Sequence, residues 1–192
     1  MNIQFLSHFK IGIIGTKSVG KTTIANLLVG YLSSIGIDVH FIEEVAKKCP
    51  LPLNEDTTLE TCLWILGNQI SNESMIAEDK VIVCDRTVID IYPFARLAKS
   101  IHREELTQLK KLIMSYISLR PYNVLFYISP SDDYFSAEIY LAERNFQMEI
   151  DREFRNLLKT LSLKVVEINQ KDSAEGLKEI VNYLERNNNI TS

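Results

Sequence analysis

Eight residues constrain the fold of this chain more than any others: Gly15-Thr16-Lys17-Ser18-Val19-Gly20-Lys21-Thr22. They fit G-x-x-x-x-G-K-[ST], the Walker A phosphate-binding loop. The flanks matter as much as the letters. Phe9 to Ile14 reads FKIGII, an apolar, β-rich run that predicts a strand entering the loop. Thr22 to Tyr31 reads TTIANLLVGY, with Ile24, Leu27, Leu28 and Tyr31 at helical spacing, which predicts a helix leaving it. A strand, a glycine loop and a helix N-terminus together form an anion site. Successive backbone N–H groups point into one concavity, and the helix dipole adds partial positive charge. In such a loop, residues Gly15 through Thr23 cradle the phosphates of ATP, Lys21 reaches the β- and γ-phosphates, and the Thr22 hydroxyl ligates Mg²⁺. The bland alternative, an ordinary glycine-bearing strand–helix turn, needs this pattern to arise by chance between two fitting elements.

Strands and helices alternate along the rest of the chain. Expected strands are Lys10–Ile14, Asp38–Ile42, Lys80–Cys84, Asn123–Ile128 and Lys164–Ile168. Expected helices are Lys21–Ser34 with Gly36 as its C′ residue, Asp56–Glu78, Tyr92–Leu119 in two pieces, Asp132–Leu161, and Ser173–Glu185. Pro50 and Pro52 make Cys49–Asn54 a loop. The strands are short, rich in Val, Ile and Phe, and lack clean alternation, which implies a parallel sheet covered on both faces. The expected fold class is therefore α/β, a three-layer sandwich around a five-stranded, mostly parallel sheet with right-handed crossovers. Ligands should gather at the carboxyl ends of the strands.

One domain is the expectation for 192 residues, and 46% hydrophobic with 24% charged residues is ordinary globular composition. A net charge of −4 supplies no global basic field, so nucleic acid is possible as a partner but not favoured. Cys49, Cys62 and Cys84 are odd in number and lack metal-ligand spacing, which suits reduced thiols in a cytoplasmic protein. MNIQFLSHF lacks the basic start and long apolar stretch of a secretory signal, and no segment approaches eighteen consecutive apolar residues, so no membrane partner is expected. A homodimer is compatible with all of this.

Two further strand tips carry chemistry. The second strand runs into Glu43-Glu44-Val45-Ala46-Lys47, and the third into Asp85-Arg86-Thr87. In a doubly wound sheet both tips lie on the same rim as the phosphate loop. Phosphoryl transfer needs a carboxylate to orient the acceptor hydroxyl, a second to hold Mg²⁺ directly or through water, and cations to offset charge on the moving group. Asp85 ends the run VIVCD as a Walker B acid would; otherwise it caps a turn. Glu43 and Glu44 point to opposite sides of a strand end, so one faces the site, unless both are solvated.

Walker A, then E-[EP]-V, then D-R-[ST] is similar to the thymidylate-kinase-like P-loop nucleoside and nucleotide kinases. Asp85-Arg86-Thr87, with the trailing Tyr92-Pro93-Phe94-Ala95, resembles the E-R-S motif of deoxyribonucleoside kinases. Glu44-Val45-Ala46-Lys47 resembles the E-V-A-R segment of small AAA-type ATP-binding proteins. The resemblance covers roughly residues 10 to 155 and implies a nucleotide-kinase-like architecture with a short helical lid. It implies Glu44, or in one alignment Glu43, as base or acceptor contact, and Arg86 as a phosphate contact. It also makes Gln69 and Trp64 candidates for holding an acceptor's base. The competing reading has Trp64 in the core and Gln69 in solvent. The lid falls at approximately 130–152, where Arg144 is the candidate catalytic arginine; the chain lacks the D-G-x-R run of the AAA-type relatives.

The sequence thus points to an ATP- and Mg²⁺-dependent kinase whose small-molecule acceptor is a nucleoside or nucleotide. Lys21, Glu44, Asp85, Arg86 and Arg144 are the expected catalytic set, with Thr22 and Asp85 on the metal and Glu43, Gln69 and Arg86 on the acceptor. The rival readings are a P-loop ATPase serving a protein or nucleic-acid partner, and a kinase acting on a modified base in DNA.

Overall fold

The computed structural model describes residues 9–76, 80–130, 141–169 and 172–187, with backbone alone at 141–143. In chain order the elements are β1 (Lys10–Ile14), α1 (Lys21–Ser34), β2 (Val39–Ile42), α2 (Leu59–Ser74), β3 (Val81–Asp85), α3 (Ile91–Leu97), α4 (Arg103–Leu119), β4 (Val124–Ile128), α5 (Leu141–Leu158), β5 (Val165–Ile168) and α6 (Ser173–Asn187). The strands form one sheet in the order β2-β3-β1-β4-β5, and every pairing is parallel.

Alternate residues of the central strands feed two separate cores. Ile11 and Ile13 of β1, Val83 of β3 and Phe126 of β4 pack against Ile24, Leu28 and Leu32 of α1 and Ile180 and Leu184 of α6. Ile14, Cys84, Leu125 and Tyr127 face the other way, onto Leu66 of α2, Ala95 of α3, Leu109 and Ile113 of α4, and Phe154 of α5. Each fully buried side chain of this size contributes about 2 kcal/mol, which is why both faces of the sheet must be covered.

Neighbouring strands β1 and β3 send their chains to opposite faces: β1 leads into α1 in one layer, β3 into α3 in the other. Such a divergence opens a crevice at the carboxyl edge of the sheet.

Helix α1 ends as the sequence implies. Gly36 takes φ +85, its N–H bonds Ser33 O at 3.0 Å, and Ile37 N bonds Leu32 O at 3.1 Å, closing a Schellman motif. The expected Asp56 start of the second helix is too early. Asn54–Asp56 form a 3₁₀ turn, and α2 begins at Leu59 behind Thr58, whose hydroxyl accepts from Thr61 N at 3.3 Å. That helix stops at Ser74; the expected end at Glu78 lies outside the described residues. The region expected as Tyr92–Leu119 is two helices, α3 and α4. Residues 132–140 of the helix expected from Asp132 lie outside the described residues, and with them 131–140 of the lid expected at 130–152.

Candidate active site

The loop between β1 and α1 curls into an anion nest. Gly15, Ser18 and Gly20 all hold positive φ, at +140, +56 and +83, which turns their amides inward. Glycine is required at 15 for space as well as conformation, since a Cβ there would sit 2.6 Å from Ile128 O. Lys21 is buried, and its ammonium donates to Thr16 O. Burial, with Arg86 adding to it, pushes Lys21 down to about 7, against the pull of Asp90, Glu44 and Asp85.

Strand β3 delivers the next group. Asp85 is its last residue and is buried. Asp85 Oδ2 accepts from the Thr22 hydroxyl at 2.7 Å, while Oδ1 has no hydrogen-bond partner among the described residues. A buried carboxylate oxygen without a donor, beside a hydroxyl at a helix start, is the donor set a hard cation uses together with phosphate oxygens. Thr22 and Asp85 therefore fit Mg²⁺.

Arg86 follows with φ +73, a left-handed conformation that costs an arginine about 1 kcal/mol or more. The turn aims its guanidinium back over the loop. Its Nε donates to Glu44 Oε1 at 2.5 Å, and Nη1 to Gly15 O at 3.1 Å and Asp90 Oδ1 at 3.2 Å. Arg86 thus ties the second strand tip, the phosphate loop and the turn after β3 into one unit. Burial works against the charge on Glu44, but Arg86, Lys21 and Lys47 outweigh it and hold the carboxyl below its ordinary value.

Asp90 is a residue that sequence reasoning missed. Its Oδ2 accepts from Thr87 N at 2.8 Å and the Thr87 hydroxyl at 3.1 Å, and its Oδ1 faces Gly15 N at 3.4 Å. The Thr87-x-x-Asp90 spacing is a capping signature, and it could have been found as such. Desolvation raises the Asp90 carboxyl, an effect opposed by Arg86 and Lys21.

A cavity of about 290 Å³ opens beside the loop, with Glu44, Gln69, Arg86 and Asp90 on its polar side and Leu53, Ile65, Ile91 and Phe94 among its apolar walls. Gln69 is buried rather than solvated. Its Nε2 donates to Glu73 Oε1 at 2.8 Å and approaches Arg86 O at 3.5 Å. Both of these neighbours are acceptors, so the amide nitrogen must face them and the amide oxygen is left for the cavity.

Glu43 and Trp64 are not brought to the cavity. Glu43 turns outward and pairs with Lys48 at 3.1 Å, and Trp64, half-buried, is not in the lining. Arg144 lies in the first turn of α5, half-buried, outside the lining as well. Phe146, further along α5, packs on Phe94 of the cavity wall, with ring centroids 6.5 Å apart. Among the described residues no helix is long and apolar enough to cross a membrane.

The parallel sheet in the order β2-β3-β1-β4-β5, with the phosphate loop after its central strand, has the α/β P-loop kinase-like fold. The chain belongs to the AAA domain family, whose model matches residues 10–175. Among solved structures it is similar to NadR protein in complex with NR (TM-score 0.72, 18% identity, 95% of this chain and 52% of that one). NadR protein in complex with NAD and AMP-PNP is similar too (0.68, 18%, 92% and 49%). Deoxyadenosine kinase from M. mycoides, with products dCMP and dCDP bound, matches along 93% of this chain and 99% of its own, at TM-score 0.62 and 15% identity. The chain spans about half the length of the NadR chains. A search of curated proteins finds no match.

Proposed function

We propose that this chain is an ATP-dependent kinase of a nucleoside or nucleotide. One observation carries the reading: the partly apolar cavity of about 290 Å³ that adjoins the phosphate loop and has Glu44 and Arg86 in its wall. A P-loop that only hydrolyses its nucleotide needs no second organic pocket there, whereas a kinase must hold its acceptor beside the γ-phosphate.

The geometry supports the following roles. The amides of Gly15 to Thr23 and the Lys21 ammonium bind the polyphosphate. Thr22 and Asp85 would hold Mg²⁺, which offsets charge on the phosphate oxygens when bound. Glu44 is held ionised and receives the acceptor hydroxyl's hydrogen bond, orienting it and accepting its proton. Arg86 stays fixed by Glu44, Gly15 O and Asp90 and presents positive charge to the reacting phosphoryl group. Phe94, Ile65 and Leu53 exclude water around the planar part of the acceptor, and Gln69 hydrogen-bonds its edge. Arg144 is the lid arginine of this scheme. The three free cysteines fit a reducing, cytoplasmic setting.

The test is an ADP-release assay with Mg·ATP against a panel of nucleosides and nucleoside monophosphates. ADP formation that depends on one or a few acceptors is the expected result. ADP formation at one rate with or without every panel member would overturn the kinase reading in favour of an ATPase.

A further inference from the structure

Lys47 occupies an unexpected place. Its side chain is 55% exposed, yet its ammonium is drawn inward to three oxygens of the site. It donates to Thr22 Oγ1 at 3.2 Å and lies 3.4 Å from Glu44 Oε2 and 3.8 Å from Asp85 Oδ2. Thr22 Oγ1 and the Asp85 carboxylate are the very groups that fit a hard divalent cation. The Thr22 hydroxyl gives its proton to Asp85 and takes one from Lys47, so a lone pair a metal would use is already engaged. Asp85 Oδ1, buried and without a donor among the described residues, shows that one ammonium does not satisfy the set.

We propose that Lys47 is a built-in counter-cation of the divalent-metal site, which holds the Thr22–Asp85–Glu44 oxygens until a metal ion displaces it. The inference rests on the cation-binding part of the reading above, and not on the identity of the acceptor. Displacement is feasible because of where Lys47 sits. It lies on the short 3₁₀ turn Val45–Lys48, three residues from Glu44, and half its side chain is in water, so leaving strands no buried charge. Arg86, only 11% exposed and held by three partners, has no such freedom. A ligand that binds only the open form loses apparent affinity in proportion to the open fraction. An ammonium in place nine-tenths of the time weakens metal binding about tenfold.

The experiment titrates Mn²⁺ alone, without nucleotide, into the full chain and follows the free-ion signal by electron paramagnetic resonance. Lys47→Met should bind Mn²⁺ about tenfold more tightly than the wild type, whereas Lys48→Met, one residue away and paired with Glu43 at 3.1 Å, should change it less than about twofold. Equal effects of the two substitutions would reduce Lys47 to a general field, and no tightening in Lys47→Met would remove the proposal altogether. A second readout uses the wild-type protein. Amine labelling followed by mass spectrometry should show Lys47 becoming more reactive on adding Mg²⁺ alone, with Lys48 unchanged; constant Lys47 reactivity overturns displacement. If the metal shift appears but no acceptor is phosphorylated, the kinase reading fails and this one stands.

Discussion

Gln69 donates its amide nitrogen to Glu73 Oε1 over 2.8 Å, one turn further along α2, and that bond decides what Gln69 can offer a ligand. Glu73 is itself buried, and it gathers four donors: Lys10 Nζ at 2.7 Å, Tyr116 OH at 2.6 Å, Tyr122 OH at 2.6 Å and the Gln69 amide. The Lys10 ammonium also donates to Arg120 O and lies 4.0 Å from the centroid of the Tyr122 ring. A buried ion pair thus backs the cavity wall and locks the orientation of the amide in front of it.

Breaking that pair on one side leaves a buried charge alone. Glu73→Gln should destabilise the protein by about 3–5 kcal/mol. Adding Lys10→Met to it should return a large part of the loss, because the stranded ammonium is then gone. Urea unfolding of the two single variants and the double variant measures the coupling. Additive losses, with no recovery in the double variant, would mean that the pair is not the source of the effect.

At Gln69 the same logic gives a functional prediction. With its nitrogen committed to Glu73, Gln69 offers the cavity an acceptor, so a ligand with an N–H on its facing edge gains a hydrogen bond there. Gln69→Leu removes that bond, worth about 1 kcal/mol or somewhat more, and should raise KM for such an acceptor about tenfold. Nucleotide affinity, read separately by calorimetry with ADP, should not move. A tenfold loss in ADP affinity instead would place Gln69 on the wrong ligand.

The reach of the sequence differs from residue to residue for physical reasons. The phosphate loop was legible because its function depends on backbone conformation over eight contiguous residues. Asp85 and Arg86 were legible because a parallel sheet puts all strand tips on one rim. The choice between Glu43 and Glu44 needed the backbone after β2, which turns Glu44 inward to Arg86 and Glu43 outward to Lys48. Lys10 and Glu73 gave no signal at all. They are 63 residues apart, and either charge alone reads as a solvated one until the fold buries them together. The competing reading of Gln69 as solvated fails for the same reason. Its burial is tolerated only because Glu73 receives its amide.

In the proposed kinase scheme Glu44 is the residue on which transfer depends most specifically. Glu44→Gln keeps the shape but removes the proton acceptor, so kcat should fall by about 10²–10⁴. The Arg86 guanidinium retains Gly15 O and Asp90, so the loop should keep its form and its affinity for ADP. Undiminished turnover would move the base to Asp85.

Gly15→Ala tests the nest itself. The added Cβ meets a main-chain oxygen, Ile128 O, at 2.6 Å, and alanine resists φ +140. Backbone on both sides must shift, at a cost of about 1–3 kcal/mol. The variant should melt earlier and show no further rise on adding ADP. A normal rise would mean that the loop amides do not hold the phosphates.

Lys21 gives the pH prediction. In the free protein, burial and Arg86 together push it down to about 7, so at pH 8 it is mostly neutral. A polyphosphate beside it favours the ammonium and raises that value. ADP binding in EDTA at pH 8 should therefore take up close to one proton, and affinity should weaken as pH rises above 7. The stability term has the opposite sign from that of a favourable ion pair. The unfolded chain binds this proton more tightly, so the penalty is complete below about 7 and is relieved as pH climbs toward 10.5. Lys21→Met should accordingly make the nucleotide-free protein more stable at pH 7, with the advantage shrinking by pH 9, while abolishing the proton uptake. Calorimetry in two buffers of different ionisation enthalpy measures the first effect and urea unfolding against pH the second. No proton uptake on binding at pH 8, or a Lys21→Met effect that does not change between pH 7 and 9, would show that Lys21 is already charged in the free site.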